Sequence, residues 1–119
     1  MILQREFRFE AAHHLPSYHG KCEAVHGHSY RLRVSISGLP DSEGMILDFA
    51  EVKKIVTAKV LDKLDHNDLN KIIPNPTAEN IAAWVWRELA EALPLHEIQI
   101  WETENCSAIF TIEDTRRLT

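Results

Sequence analysis

The chain has 119 residues, 45% apolar and 26% charged, with a net charge of −5; that suits one globular domain, 1–119, able to bury roughly two-thirds of the surface its unfolded chain exposes. The acidic balance argues against general nucleic-acid or membrane-surface binding, and an anionic small substrate would need a local basic pocket. Two cysteines far apart in sequence make no disulfide framework, and neither a membrane-length apolar run nor a cleavable signal is visible, so a reduced cytoplasmic setting is the expectation.

Residues 2–13 read as a strand, with Phe7, Phe9 and Ala11 inward and His13 on the same parity. A loop over 14–21, punctuated by Pro16 and Gly20, leads to a second strand over 27–38. There Tyr30, Leu32, Val34 and Ile36 share one face with His26 and His28, while Arg31, Arg33, Ser35 and Ser37 take the other. A turn over 39–44 precedes Asp48, which with Glu51 three residues on has the pattern of a capping box. The helix behind it is expected to bury Phe49, Val52, Ile55, Val56 and Val60. The polar run Asp65-His66-Asn67-Asp68-Leu69-Asn70 reads as a loop, and Pro74 and Pro76 as breakers. Thr77 then caps a second helix, through about Ala92, with Ile81, Ala82, Val85, Trp86 and Leu89 at helical spacing. Two closing strands cover 96–103 and 107–113. Strand, strand, helix, helix, strand, strand with short strand connections makes an α+β layer: a four-stranded antiparallel sheet with two helices on one face.

Chemistry concentrates in Cys22-Glu23-Ala24-Val25-His26-Gly27-His28. Two histidines at i and i+2 of a strand emerge on one face, and His13 joins them if the first two strands are neighbours. Three imidazoles with a vacant fourth position are the donor set of a catalytic zinc. Buried together without a metal, they would leave several ring nitrogens needing partners. Gly27 between two ligands suits a close approach of backbone or ligand. For Cys22 three readings stay open: a small buried hydrophobe, a fourth zinc ligand, or a thiolate made available by the neighbouring dication. Asp65 and His66 are either a helix-end cap or part of a site. Glu102 shares parity with Ile98 and Ile100, so it either sits at the wet end of its strand or receives a ligand's N–H donors. Trp84, Trp86 and Trp101 read as core packing, and Cys106 has no evident partner.

Taken together, Phe9-Glu10-Ala11-Ala12-His13, the Cys22-to-His28 stretch, Leu64-Asp65-His66, Asn75-Pro76-Thr77-Ala78-Glu79 and Glu102-Thr103 resemble the 6-pyruvoyl-tetrahydropterin synthase family over nearly the whole chain. Three residues between Cys22 and His26 resemble its 6-carboxy-tetrahydropterin synthase branch, which serves queuosine (7-deazaguanine) biosynthesis. The resemblance implies the tunnelling fold, trimers closing a barrel, two trimers making a homohexamer, and sites at subunit interfaces. It implies zinc held by His13, His26 and His28, and Cys22 as general base working with Asp65 and His66. Glu102 would anchor the pterin, with Thr103 and Thr77 also binding substrate. The implied reaction turns 7,8-dihydroneopterin triphosphate into 6-carboxytetrahydropterin, releasing acetaldehyde and triphosphate. Lys21, Arg31 and Arg33 are candidates to meet the triphosphate by composition alone, against a reading as solvated strand or loop charge. Glu23 directly after Cys22 keeps a sister outcome open, because some members carry glutamate at the cysteine position and resemble enzymes that form 6-hydroxymethyl-dihydropterin. Pyruvoyl chemistry on the same substrate is the other sister outcome.

Overall fold

A computed structural model describes residues 1–16 and 24–117. Strict alternation produces two long strands, β1 (Ile2–His13) and β2 (His26–Ser37), which pair antiparallel along their whole length. One face of that ribbon carries Phe7, Phe9, Ala11, Tyr30, Leu32, Val34 and Ile36, all buried. Each such side chain, withdrawn from water, contributes about 1.5–3 kcal/mol if large. The register sets His13 directly opposite His26 and Ala11 opposite His28.

Asp48 starts α1 (Phe49–Val56) by accepting the Ala50 N–H. The Glu51 carboxylate accepts no hydrogen bond from the Asp48 N–H among the described residues, so only half of the expected box forms. Phe49, expected in the core, is 49% exposed. It lies in the helix's first turn, and burial begins at Val52. The helix continues through a π-helical turn, Thr57–Leu61, into α2 (Asp62–Leu64). The widened turn keeps Val56, Val60 and Leu64 all fully buried.

The polar run after α2 is more than a loop. It contains β3 (Asn67–Asp68), which pairs parallel with β1 at Ala11 and Ala12, and a 3₁₀ turn over Leu69–Lys71. The sheet is therefore five-stranded and mixed, in the order β3-β1-β2-β4-β5, rather than four-stranded and antiparallel. Thr77 caps α3 (Ala78–Leu89) by accepting the Asn80 N–H, and the helix buries every apolar position expected of it. Trp86 packs against Phe110, ring centroids 5.4 Å apart, joining α3 to the sheet.

β4 (Leu95–Trp101) and β5 (Ser107–Thr111) pair antiparallel, and both end sooner than the alternation suggests. Glu102 donates its N–H to the Cys106 carbonyl across the connecting turn. After Thr111 the chain turns into α4 (Ile112–Arg117), because the Asp114 carboxylate accepts from both the N–H and the hydroxyl of Thr111. Ile112, expected to point inward on a strand, is exposed there. α3 packs on β4 and β5 while α1 and α2 reach β1, so all three cover the same apolar face. The opposite face is polar: Glu6, Arg8, Glu10, Ser29, Arg31, Arg33, Gln99 and Trp101 lie on it by register. No helix among the described residues is long and apolar enough to cross a membrane.

Candidate metal centre and its surroundings

At the end of the β1–β2 ribbon, His13, His26 and His28 each offer a ring nitrogen, all within 4.8 Å of one another. The cross-strand pair supplies two, and His28, two residues along β2, supplies the third from the same face. His13 is completely buried, and the other two are partly so.

The hydrogen bonds behind the rings fix their tautomers. His13 Nδ1 lies 2.8 Å from the Pro76 carbonyl oxygen, and His26 Nδ1 lies 2.8 Å from that of Ala24. A carbonyl oxygen only accepts, so both Nδ1 atoms carry hydrogen and both Nε2 atoms present lone pairs. Those Nε2 atoms stand 3.0 Å apart, acceptor against acceptor. The His28 Nε2 beside them is buried with no hydrogen-bond partner among the described residues. Three lone pairs converging on one gap call for a cation, and an imidazole set of this kind suits zinc. Burial, partly offset by Glu102 and reinforced by His13 and His26, holds the His28 pKa below its ordinary value, so near neutral pH its nitrogen is free to ligate.

Two supports were not legible as such in the sequence. Asn70 clamps the backbone just past His13: its Oδ1 accepts the His14 N–H and its Nδ2 donates to the His14 carbonyl, both at 2.9 Å. The Pro76 carbonyl is set by the turn before α3, where Asn75 has φ 49° and its own carbonyl accepts from Thr77 N–H and Asn80 Nδ2. The signal available was the polar cluster Asn67-Asp68-Leu69-Asn70, but a two-point clamp depends on a contact between distant residues. Gly27 proves undemanding. A Cβ there would meet the Ala11 carbonyl oxygen at 3.7 Å, an ordinary contact, so no close approach among the described residues requires glycine.

Glu102 does reach this site. Its Oε1 lies 3.2 Å from His13 Nε2 and 3.6 Å from His28 Nε2. Beneath the imidazoles, Tyr30 stacks on Phe9, its buried hydroxyl has no hydrogen-bond partner among the described residues, and burial pushes its pKa well above the ordinary value. The Thr77 hydroxyl is engaged as the cap of α3. Thr103 is exposed and lines a pocket on the polar face of the sheet, with Arg31. Cys22, Glu23 and Lys21 lie outside the described residues.

Asp65 and His66 form a pair of their own, His66 Nδ1 to Asp65 Oδ1 at 3.0 Å, with the His66 side chain largely exposed. Among the described residues neither makes a hydrogen bond or ion pair with the three imidazoles. Asp65 Oδ1 accepts the Glu10 N–H, and the His66 N–H donates back to the Glu10 carbonyl, at the start of the β3–β1 contact. That backbone N–H, foremost, lowers the Asp65 pKa; burial opposes it, and His66 adds further lowering. A lowered carboxylate pKa contributes stability that is fully present above the unfolded value and is lost as pH falls through the folded one. Asp65→Asn is therefore expected to flatten the acid limb below about pH 4, where an unfolded Asp titrates, leaving stability at pH 7 reduced. Urea melts from pH 7 to pH 3 would show it. Parallel curves for the two proteins would remove Asp65 as a source of acid sensitivity.

An α+β sheet with helices on one face and a three-imidazole site at a ribbon end defines the class. The family model described as 6-pyruvoyl tetrahydropterin synthase matches residues 2–113, and the chain belongs to that family. It is 41% identical over 111 residues to the 6-carboxy-5,6,7,8-tetrahydropterin synthase of Synechocystis, covering 86% of each chain. It is 36% identical over 128 residues to the 6-pyruvoyl tetrahydrobiopterin synthase of Dictyostelium discoideum, covering 92% of this chain and 95% of that one. The solved 6-pyruvoyl tetrahydropterin synthase of Caenorhabditis elegans superimposes with a TM-score of 0.85 at 28% identity, covering 93% and 94%. The tunnelling fold expected from the sequence is the fold of this chain, with the short parallel strand β3 as its addition.

Proposed function

We propose that the protein is a zinc-dependent 6-carboxy-5,6,7,8-tetrahydropterin synthase, a lyase acting on 7,8-dihydroneopterin triphosphate. The observation that carries the reading is the convergence of three Nε2 lone pairs, two of them fixed by carbonyls behind their rings, in a chain 41% identical to a relative of that name. His13, His26 and His28 hold the ion. When bound, it supplies Lewis acidity to the hydroxyls of the substrate's side chain. Glu102 takes the pterin's amino and ring N–H groups, with Thr77 and Thr103 as further substrate contacts. Cys22 removes and returns protons together with Asp65 and His66; the lowered pKa of Asp65 keeps it ionised, so its part is to hold the His66 ring through their 3.0 Å contact. His66 lines one pocket with His28, yet neither Asp65 nor His66 bonds the imidazoles among the described residues, which suits a homohexamer in which they serve a neighbouring subunit's site. A soluble cytoplasmic enzyme of the queuosine route, with no nucleic-acid or membrane partner, completes the proposal.

The Dictyostelium relative and the Glu23 beside Cys22 support a second reading, in which the same site yields a pyruvoyl or hydroxymethyl pterin. Product identification separates them. Zinc-loaded protein given 7,8-dihydroneopterin triphosphate should release acetaldehyde and a 6-carboxy pterin. Pyruvoyl or hydroxymethyl pterin as sole product would move it to the sister chemistry, and no turnover with pterin still bound would make it a binding module.

A further inference from the structure

We infer that the polar face of the sheet carries a binding site for phosphate-type oxyanions, built by Arg8 and Arg31 beside Trp101. It lies across the sheet from the imidazoles, and the inference does not depend on the reaction proposed above.

The register places Arg8 directly opposite Arg31 on neighbouring strands, and Arg31 opposite Trp101 on the next. Like charges facing each other across an antiparallel pair repel, so such a pairing needs compensation. The adjacent row shows how this face neutralises an arginine. Arg33 lies opposite Glu6, and its Nε and Nη2 both donate to Glu6 Oε2, at 2.9 and 2.8 Å. Nothing comparable serves the Arg8–Arg31 row. Glu10, the nearest acid on β1, has its Oε2 occupied by the Ser29 hydroxyl at 2.6 Å. Arg31 lies over the Trp101 ring at 3.7 Å, which covers the guanidinium plane but satisfies no N–H. Its Nε is buried with no hydrogen-bond partner. Arg8 makes no hydrogen bond or ion pair among the described residues.

A pocket of about 300 Å³ opens over this row, lined by Arg8, Ser29, Arg31, Trp101, Thr103 and Glu104. Two guanidinium groups with free donors, the Thr103 hydroxyl and an aromatic floor match a phosphate's oxygens, since arginine forks bind such oxyanions in pairs of parallel N–H bonds. Glu104 is the single acidic residue lining the pocket, and among the described residues it forms no ion pair with either arginine. Trp101 thus serves as a platform on the open face and not as the core residue its sequence suggests.

The shared chemistry is a tetrahedral phosphate oxyanion, free or at the end of a polyphosphate. Inorganic phosphate and inorganic tripolyphosphate would be titrated separately into the full-length protein at fixed ionic strength, followed by calorimetry and tryptophan fluorescence. Saturable binding is expected, weakened about tenfold or more by Arg8→Gln or Arg31→Gln and unchanged by Arg87→Gln, which lies on α3 over the other face of the sheet. Trp101→Phe should remove the fluorescence response while heat of binding persists. Tripolyphosphate binding at least tenfold tighter than phosphate would assign the site to a polyphosphate-bearing ligand, and equal affinities to free phosphate. No saturable binding, or equal affinity in Arg8→Gln and Arg31→Gln proteins with native far-UV circular dichroism, would overturn the site.

Discussion

Replacing His13 with alanine is expected to abolish stoichiometric metal binding and to destabilise the fold at the same time. His13 is the one member of the trio that is wholly buried, and it faces His26 directly across the β1–β2 ladder. Losing it leaves two donors where three converged. Removal of a mere outer partner of a ligand costs about 10–100-fold in metal affinity, so loss of the ligand itself should exceed that. The same change strips the Pro76 carbonyl of its donor, which costs about 1–3 kcal/mol if the group stays buried and unpaired. The two effects are separable. In the parent protein, zinc at about a thousand times its dissociation constant should stabilise by about 4 kcal/mol, whereas the variant should gain nothing. Elemental analysis after dialysis, with thermal melts in the presence and absence of zinc, gives both readings. Full zinc occupancy in His13→Ala would leave the proposed centre without foundation.

Why the centre was readable in advance, and other parts were not, comes down to the range of the interactions involved. Strand parity is a local rule, so His26 and His28 on one face follow from one intervening residue, and His13 follows once β1 and β2 are neighbours. The buried stripe of α3 was equally local. Phe49 misled because periodicity reports which side of a helix is apolar, without saying how far along the helix the core extends. β3 was missed because two residues, Asn67 and Asp68, carry no alternation to detect; their strand exists only because β1 has an edge to pair. Beyond Thr111 the alternation does continue to Ile112, but an Asp114 side chain reaching back to Thr111 starts a helix instead. Asn70 behaves similarly: its sequence context is that of a turn, while its task is to fasten the residue after His13, in a strand far away in the chain. Trp101 reads as core by its type, although its parity puts it on the other face of its strand from Ile98 and Ile100, where the β2–β4 register sets it opposite Arg31.

Cys22→Ala is expected to lower kcat by about 10²–10⁴-fold, the usual contribution of a positioned acid–base group, while zinc stays bound at one ion per chain. Cys22 precedes His26 by four residues, so a thiol and the proposed ion share one short segment. A dication nearby favours thiolate over thiol, and a thiolate can accept a proton from a substrate carbon whose neighbouring hydroxyl is polarised. If Cys22 were instead a permanent fourth ligand, its removal would weaken zinc binding in parallel with turnover, because the closed tetrahedral set would be broken. Measuring zinc affinity and kcat on the same preparation distinguishes the two. A general base also imposes an ionisation on the pH profile: the parent's kcat should rise with pH through the thiol's pKa, and the residual activity of Cys22→Ala should lack that limb. Cys106→Ala is the matched control, because that thiol is exposed on the β4–β5 turn and only its carbonyl oxygen, unchanged by the substitution, bonds Glu102. Equal losses in the two cysteine variants would point to general destabilisation. A selective loss in Cys22→Ala with zinc retained would establish proton transfer as its role.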